Sequence, residues 1–189
     1  DWKISDAQQE NPVLKDAVLV SQARREFAVK LNSKLSISQK GYYQEEVFGN
    51  SGPIPPEAGK ETTYTIIWQA RNYYNDVKNV KVKAVLPPDV KLTGKIFPKE
   101  ESSNFSFDSQ SREIVWSVGD GQAMKAGAGI LSPAPNISFQ VALTPTSGQK
   151  GKNALLIGKA VISGEDQWTG EKIKGEAPAI KVNISEANH

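Results

Sequence analysis

The chain has 189 residues, of which 38% are hydrophobic and 23% charged, so it is long enough to bury a substantial core. Its formal net charge is only +2 and its lysines are scattered among acidic residues, which argues against a nucleic-acid-binding protein. The absence of cysteine excludes disulfides, thiolate metal sites and cysteine nucleophiles, and the single histidine is the last residue, His189.

No stretch approaches the roughly 20 apolar residues that a transmembrane helix needs. The polar start, DWKISDAQQENP, does not have the pattern of a signal peptide. We therefore expect either a mature fragment or an excised piece of a longer protein, and a repeated pattern near the two ends of the chain favours the excised piece. Attachment to a membrane would come only through another part of the parent chain.

The dominant period along the chain is two, which is typical of β-strands with one buried face. Predicted strands, in chain order, cover residues 29–37, 61–69, 79–86, 105–107, 113–119, 137–143, 155–162 and 180–184. Turn clusters rich in Gly, Asn and Asp separate them. The one helical candidate covers residues 11–25, although residues 17–21 also fit a strand. This pattern predicts an all-β, immunoglobulin-like antiparallel β-sandwich of about seven to nine strands.

Strand parity also predicts which side chains face the core. Trp68 and Trp116 share the parity of their aliphatic neighbours and are expected to be buried. Some surface modules form an amide crosslink between an inward lysine and an asparagine. The lysines of the predicted strands alternate with the apolar face and should point outward, which argues against that crosslink; they are Lys30, Lys34, Lys81 and Lys83.

A short pattern occurs near both ends of the chain. Residues 27–32 read FAVKLN and residues 178–183 read PAIKVN, at a constant offset of 151. This favours an array in which the last strand of each module runs into the first strand of the next. The predicted organisation is a linker or the tail of a preceding module over residues 1–26, one module over 27–185, and a disordered end over 186–189.

Several motifs then occur in a familiar order. They are GPIPP at 52–56, a Gly before TYTI at 63–66, Asn72, Leu86-Pro87, VWSVG at 115–119 and FQVALTP at 139–145. In this order they resemble the conserved-repeat immunoglobulin-like modules (domain of unknown function eleven) of bacterial cell-surface proteins. GPIPP and FQVALTP give a closer likeness, to the variants of uncultured small-genome bacteria. The resemblance implies the sandwich fold and a tandem surface location, but no activity, because none is established for the family.

Four residues are candidates for a ligand or module contact: Tyr73, Tyr74, Trp168 and Asp166. Trp168 lies in a predicted loop where an exposed indole could stack on a sugar or fold over a sheet edge. Tyr73 and Tyr74 are adjacent aromatics near a turn, where one ring must face away from the core of an extended chain. Such a ring would meet a ligand or an adjacent module.

Asp166, with Glu165 and Asp120, could offer oxygen ligands to calcium between modules. A tight calcium site needs about six oxygens, and no Asp-x-Asp-x-Asp spacing supplies them. Turn chemistry explains Asp120 better. We therefore predict no metal, no cofactor and no catalytic residue.

The sequence favours a non-enzymatic structural or spacer module of a repetitive extracellular bacterial surface protein. Its expected partners are adjacent modules of the same chain. The alternative is an adhesin-type binding module that recognises a glycan or a surface protein through an exposed aromatic loop. Exposure of the rings of Trp168, Tyr73 and Tyr74 would favour the alternative, and their burial would oppose it.

Overall fold

The computed structural model describes residues 29–119 and 121–186. This part of the chain contains eleven strands and two short 3-10 helices, Lys99–Asn104 and Ser147–Gln149. The strands are β1 Leu35–Tyr42, β2 Thr62–Asn72, β3 Val77–Val85, β4 Val90–Phe97, β5 Phe105–Phe107, β6 Glu113–Ser117, β7 Asn136–Leu143, β8 Asn153–Ile157, β9 Ala160–Asp166, β10 Lys172–Ala177 and β11 Ile180–Asn183.

The strands form two large antiparallel sheets and one small one. The first sheet has the order β1-β2-β7-β4, the second the order β10-β9-β3-β6-β5, and β11 pairs with β8 alone. The two large sheets pack face to face: Phe105 of β5 lies 5.1 Å, centroid to centroid, from Phe139 of β7. The predicted all-β antiparallel sandwich is confirmed, with nine strands in its two large sheets.

The core follows from the period-two pattern. In β3, Val80, Val82 and Ala84 are buried while Lys81 and Lys83 between them are exposed. Trp68 and Trp116 are fully enclosed, as their parity predicted. Each indole N–H has a partner within the described residues: Trp68 Nε1 donates to Gln39 Oε1 at 2.7 Å, and Trp116 Nε1 donates to Glu101 Oε2 at 2.7 Å. Both indole rings are therefore buried in the core without an unpaired N–H group.

Most predicted strands differ from the observed ones by one to three residues at an end, and two differ more. The first strand begins at Leu35, so the strand predicted from residue 29 is wrong over its first six residues. Val29 and Leu31 there are 77% and 69% exposed. The run predicted over 155–162 is divided between β8 and β9 at Gly158, whose backbone N–H donates to Val85 O at 2.9 Å.

The predicted linker over residues 1–26, its helical candidate, Asp120 and residues 187–189 lie outside the described residues. Of the described residues, 31–119 and 121–186 form one compact unit. Within the described ranges, no helix combines the length and apolar character needed to cross a lipid bilayer.

The chain enters and leaves this unit at opposite ends. At the entry end, the start of β1 lies beside the end of β2, since Leu35 pairs with Asn72. At the exit end, Ser185 N donates to Pro56 O at 2.8 Å, in the loop that leads into the start of β2 at Thr62. The 11 residues of β2 connect the two ends and span about 33 Å.

Candidate functional site

The residues singled out from the sequence meet at the entry end, which is formed by residues 31–34, 72–76, 124–132 and 166–170. Asp166 ends β9, and Tyr73 and Tyr74 follow β2 directly. The two loops contact each other through backbone and side-chain hydrogen bonds: Gln167 N donates to Asp76 O at 2.9 Å, and Asn75 Nδ2 donates to Asp166 Oδ2 at 2.9 Å. Segments far apart in sequence are thus held together here.

Asp166 is the centre of this arrangement. Its carboxylate is fully enclosed and accepts four hydrogen bonds. Oδ2 accepts from Ser33 N at 2.6 Å as well as from Asn75, and Oδ1 accepts from the backbone N–H groups of Trp168 at 2.9 Å and Thr169 at 3.0 Å. Burial alone would raise the pKa of Asp166, but these bonds favour the charged form and lower the pKa to about 2.

A second network lies beside the first and continues it. Ser33 Oγ donates to Asn72 Oδ1 at 2.6 Å and accepts from Tyr74 N at 2.9 Å. Asn72 Nδ2 donates to the carbonyl oxygens of Asn75, Met124 and Lys125 at 2.7, 2.9 and 3.0 Å. Both residues are buried, and every buried side-chain nitrogen and oxygen in the described ranges has a partner. A satisfied buried network of this kind fixes the loops in one arrangement.

The aromatic rings lie on the outside of these networks. Tyr74 is 65% exposed and Trp168 is 53% exposed, while Tyr73 is partly buried with Lys34 Nζ 5.3 Å from its ring centroid. The rings of Tyr73 and Tyr74 are 5.9 Å apart. One ring of the pair faces outward, as the extended-chain argument predicted.

The structure gives Asp166 a clear architectural role. Because both carboxylate oxygens accept hydrogen bonds from N–H groups, an incoming cation would have to displace donors that already occupy them. In the described ranges, no three acidic or histidine side chains gather into a set that could hold a metal ion. The arrangement ties the end of β9 to the segment that leads into β1.

Sequence reasoning did not identify Ser33 and Asn75, which complete the network. The bonds of Asp166 to the N–H groups two and three residues later form an Asx turn, and the sequence Asp-Gln-Trp-Thr-Gly was a readable signal for it. The hydrogen bond from Ser33 N to Asp166 spans 133 positions in sequence, and no local pattern predicts such a contact.

Two surface grooves lie away from the entry end. One, of about 590 Å³, lies between Val47, Phe48 and the end of β4 at Phe97. The other, of about 630 Å³, is lined by Pro88 and Leu155. Both are shallow surface features with mixed linings, unlike the enclosed pockets that bind small molecules.

Comparison with known proteins bears on the fold. No family model and no curated protein matches this sequence. Among solved structures, the chain is similar to a variant of BcpA, the major pilin subunit of Bacillus cereus, with a TM-score of 0.50 and 13% identity over 83% of this chain and 42% of that one. It is also similar to the full-length major pilin SpaD from Corynebacterium diphtheriae, with a TM-score of 0.47 and 10% identity over 80% of this chain and 35% of that one.

The chain therefore spans less than half the length of these pilin structures. At 13% identity, the likeness to BcpA is a likeness of fold. It agrees with the immunoglobulin-like sandwich that the strand pattern predicted.

Proposed function

We propose that this chain is a non-enzymatic structural spacer module of a repetitive extracellular bacterial surface protein. The observation that carries the proposal is the position of the chain ends: the backbone enters at one end of the sandwich and leaves at the other, about 33 Å away along β2. A module with this geometry adds its own length to a chain of modules. The fold likeness to a major pilin subunit supports a surface location.

The closed loop networks fit the same role. The buried acid at the entry end, Asp166, accepts four hydrogen bonds that hold strands and loops together, so its charge contributes to the architecture. Adjacent modules of the parent chain would meet at the entry and exit ends. Anchoring to the cell would come from another part of that chain.

A second function has one observation in its favour. The rings of Tyr74 and Trp168 are exposed, and their loops are held in place by hydrogen bonds to the buried Asp166 carboxylate. Rigid exposed aromatics are suited to stacking on a sugar ring or to meeting a protein surface. The same rings would equally suit contact with a neighbouring module, which the spacer function requires.

Binding to a panel of bacterial and host glycans and cell-wall preparations separates these functions. The purified chain is compared with a Tyr74→Ala, Trp168→Ala double variant, and with Phe97→Ala as a control that removes an exposed aromatic outside the entry end. The spacer function predicts no saturable binding by the folded chain. Saturable binding that is lost in the double variant and kept in the control would establish the adhesin function instead.

A further inference from the structure

The first strand lies alongside the C-terminal segment and runs in the same direction. Three contacts follow in order along both: Leu35 with Gly175, Gln39 with Pro178, and Gly41 with Ile180. Because both sequence numbers increase together, β1 and residues 175–180 are parallel neighbours. They join the edge of the first sheet to the edge of the second, although neither strand is in the other's backbone ladder.

This arrangement determines how the unit responds to tension. The backbone enters at the start of β1 and leaves after β11 at the opposite end. A pull on the two chain ends therefore drags β1 towards the entry end and residues 175–180 towards the exit end. The two segments slide past each other, so their contacts are loaded in shear and must fail together. A pull that opened them from one end would break the same contacts one at a time.

Gln39 is the polar link between the two segments. Its Nε2 donates to Pro178 O at 2.9 Å and to Gly158 O at 3.0 Å, which uses both amide hydrogens. Its Oε1 accepts from Trp68 Nε1, inside the core. The side chain is 8% exposed, so water has little access to these bonds. One buried amide thus fastens β1 to its own sheet, to the loop before β9 and to the C-terminal segment.

We propose that the module carries tension along its long axis and that Gln39 is the clamp that resists sliding of β1 against residues 175–180. This inference rests on the proposed spacer function and adds a mechanical property to it. The clamp acts in one direction of loading, which distinguishes it from an ordinary contribution to stability.

Single-molecule force spectroscopy tests the direction directly. The chain has no cysteine, so cysteine pairs introduced into the full chain define the points of attachment. Leu31→Cys with Glu186→Cys loads the two segments in shear. Gln44→Cys with Glu186→Cys pulls both segments from the exit end and peels them apart.

With Gln39 unchanged, the chain should unfold at a clearly higher force in the shear geometry than in the peeling geometry. Gln39→Met, which keeps the length of the side chain but removes its donors, should raise the unfolding rate under shear by about 30-fold, the factor for two hydrogen bonds of about 1 kcal/mol each. In the peeling geometry, Gln39→Met should raise the unfolding rate by a factor several-fold smaller. Trp68→Phe removes the hydrogen bond to Gln39 Oε1 but leaves both N–H donors of Gln39 in place. It should therefore change the unfolding rate by the same factor in the two geometries.

Equal unfolding forces in the two geometries would overturn the proposal, and this comparison needs no variant at Gln39. A Gln39→Met effect equal in both geometries would overturn the role of Gln39. These outcomes are separate from those that test the spacer function. The spacer function fails if the maximum dimension does not grow with each added tandem copy, or if the exposed aromatics bind a ligand.

Discussion

Replacing Asp166 by Asn tests whether the buried carboxylate holds the entry end together. The change keeps the size of the side chain but replaces one acceptor oxygen with an NH₂ group that faces N–H donors. The pKa of Asp166 is lowered from 3.8 to about 2, which corresponds to about 2 kcal/mol of folding free energy at neutral pH. We expect Asp166→Asn to lower the free energy of unfolding at pH 7 by about 2 kcal/mol, or more if a buried donor is left unpaired.

The lowered pKa of Asp166 determines how its contribution to stability changes with pH. Because the pKa is lower in the folded state, the stabilisation is fully present above the unfolded value of 3.8 and is lost as the pH falls through 3.8 towards 2. The difference between wild type and Asp166→Asn should therefore shrink as the pH is lowered over this range.

Urea titrations of the full chain at pH 7, 5, 4 and 3, followed by tryptophan fluorescence, measure this difference. Asp108→Asn is the matched control, since Asp108 also accepts bonds in a turn, from Gln110 N at 2.8 Å and Ser111 Oγ at 2.9 Å, but is exposed to water. Its effect should be much smaller. An Asp166→Asn effect that is the same at pH 7 and pH 3 would show that the charge of Asp166 does not stabilise the fold.

Further substitutions test other contacts. A Cβ at Gly175 would lie 2.5 Å from a backbone oxygen of β1, so Gly175→Ala should cost about 1–3 kcal/mol in thermal unfolding, whereas Gly148→Ala, with open space around it, should be neutral within about 0.5 kcal/mol. Ser33→Ala removes a buried hydroxyl bonded to Asn72 and should cost about 1–3 kcal/mol in urea unfolding; no change would show that the second network is not stabilising. Lys159→Ala removes a surface ion pair with β10 and should change stability by less than about 1 kcal/mol, and a larger loss would contradict its exposed position.

The strands that could be predicted from sequence are those with a regular alternation. In β3, valines and lysines alternate over the whole strand, and burial follows them. β4 and β10 were not predicted, because each carries lysines and an internal glycine and has few fully buried side chains. Residues 29–34 alternate like a strand, yet among residues 29–119 and 121–186 no strand forms a ladder with them, so tertiary pairing decides where β1 begins.

The candidate site was predictable in its parts but not in its connections. The sequence predicted that one ring of Tyr73 and Tyr74 would face outward but not which one, and it left the Trp168 indole either exposed or folded over a sheet edge. The roles of Asp166 and Gln39 depend on partners more than 100 residues away in sequence, Ser33 and Pro178 respectively. Such contacts arise only when the sandwich closes, and a single sequence contains no local sign of them.

Small-angle X-ray scattering of one, two and three full-length copies joined in tandem measures whether each module adds its length to the chain. The spacer function predicts that the maximum dimension grows by at least about 33 Å with each added copy, the distance along β2 between the entry and exit ends. Growth well below this value, with copies folding back on one another, would contradict the spacer function.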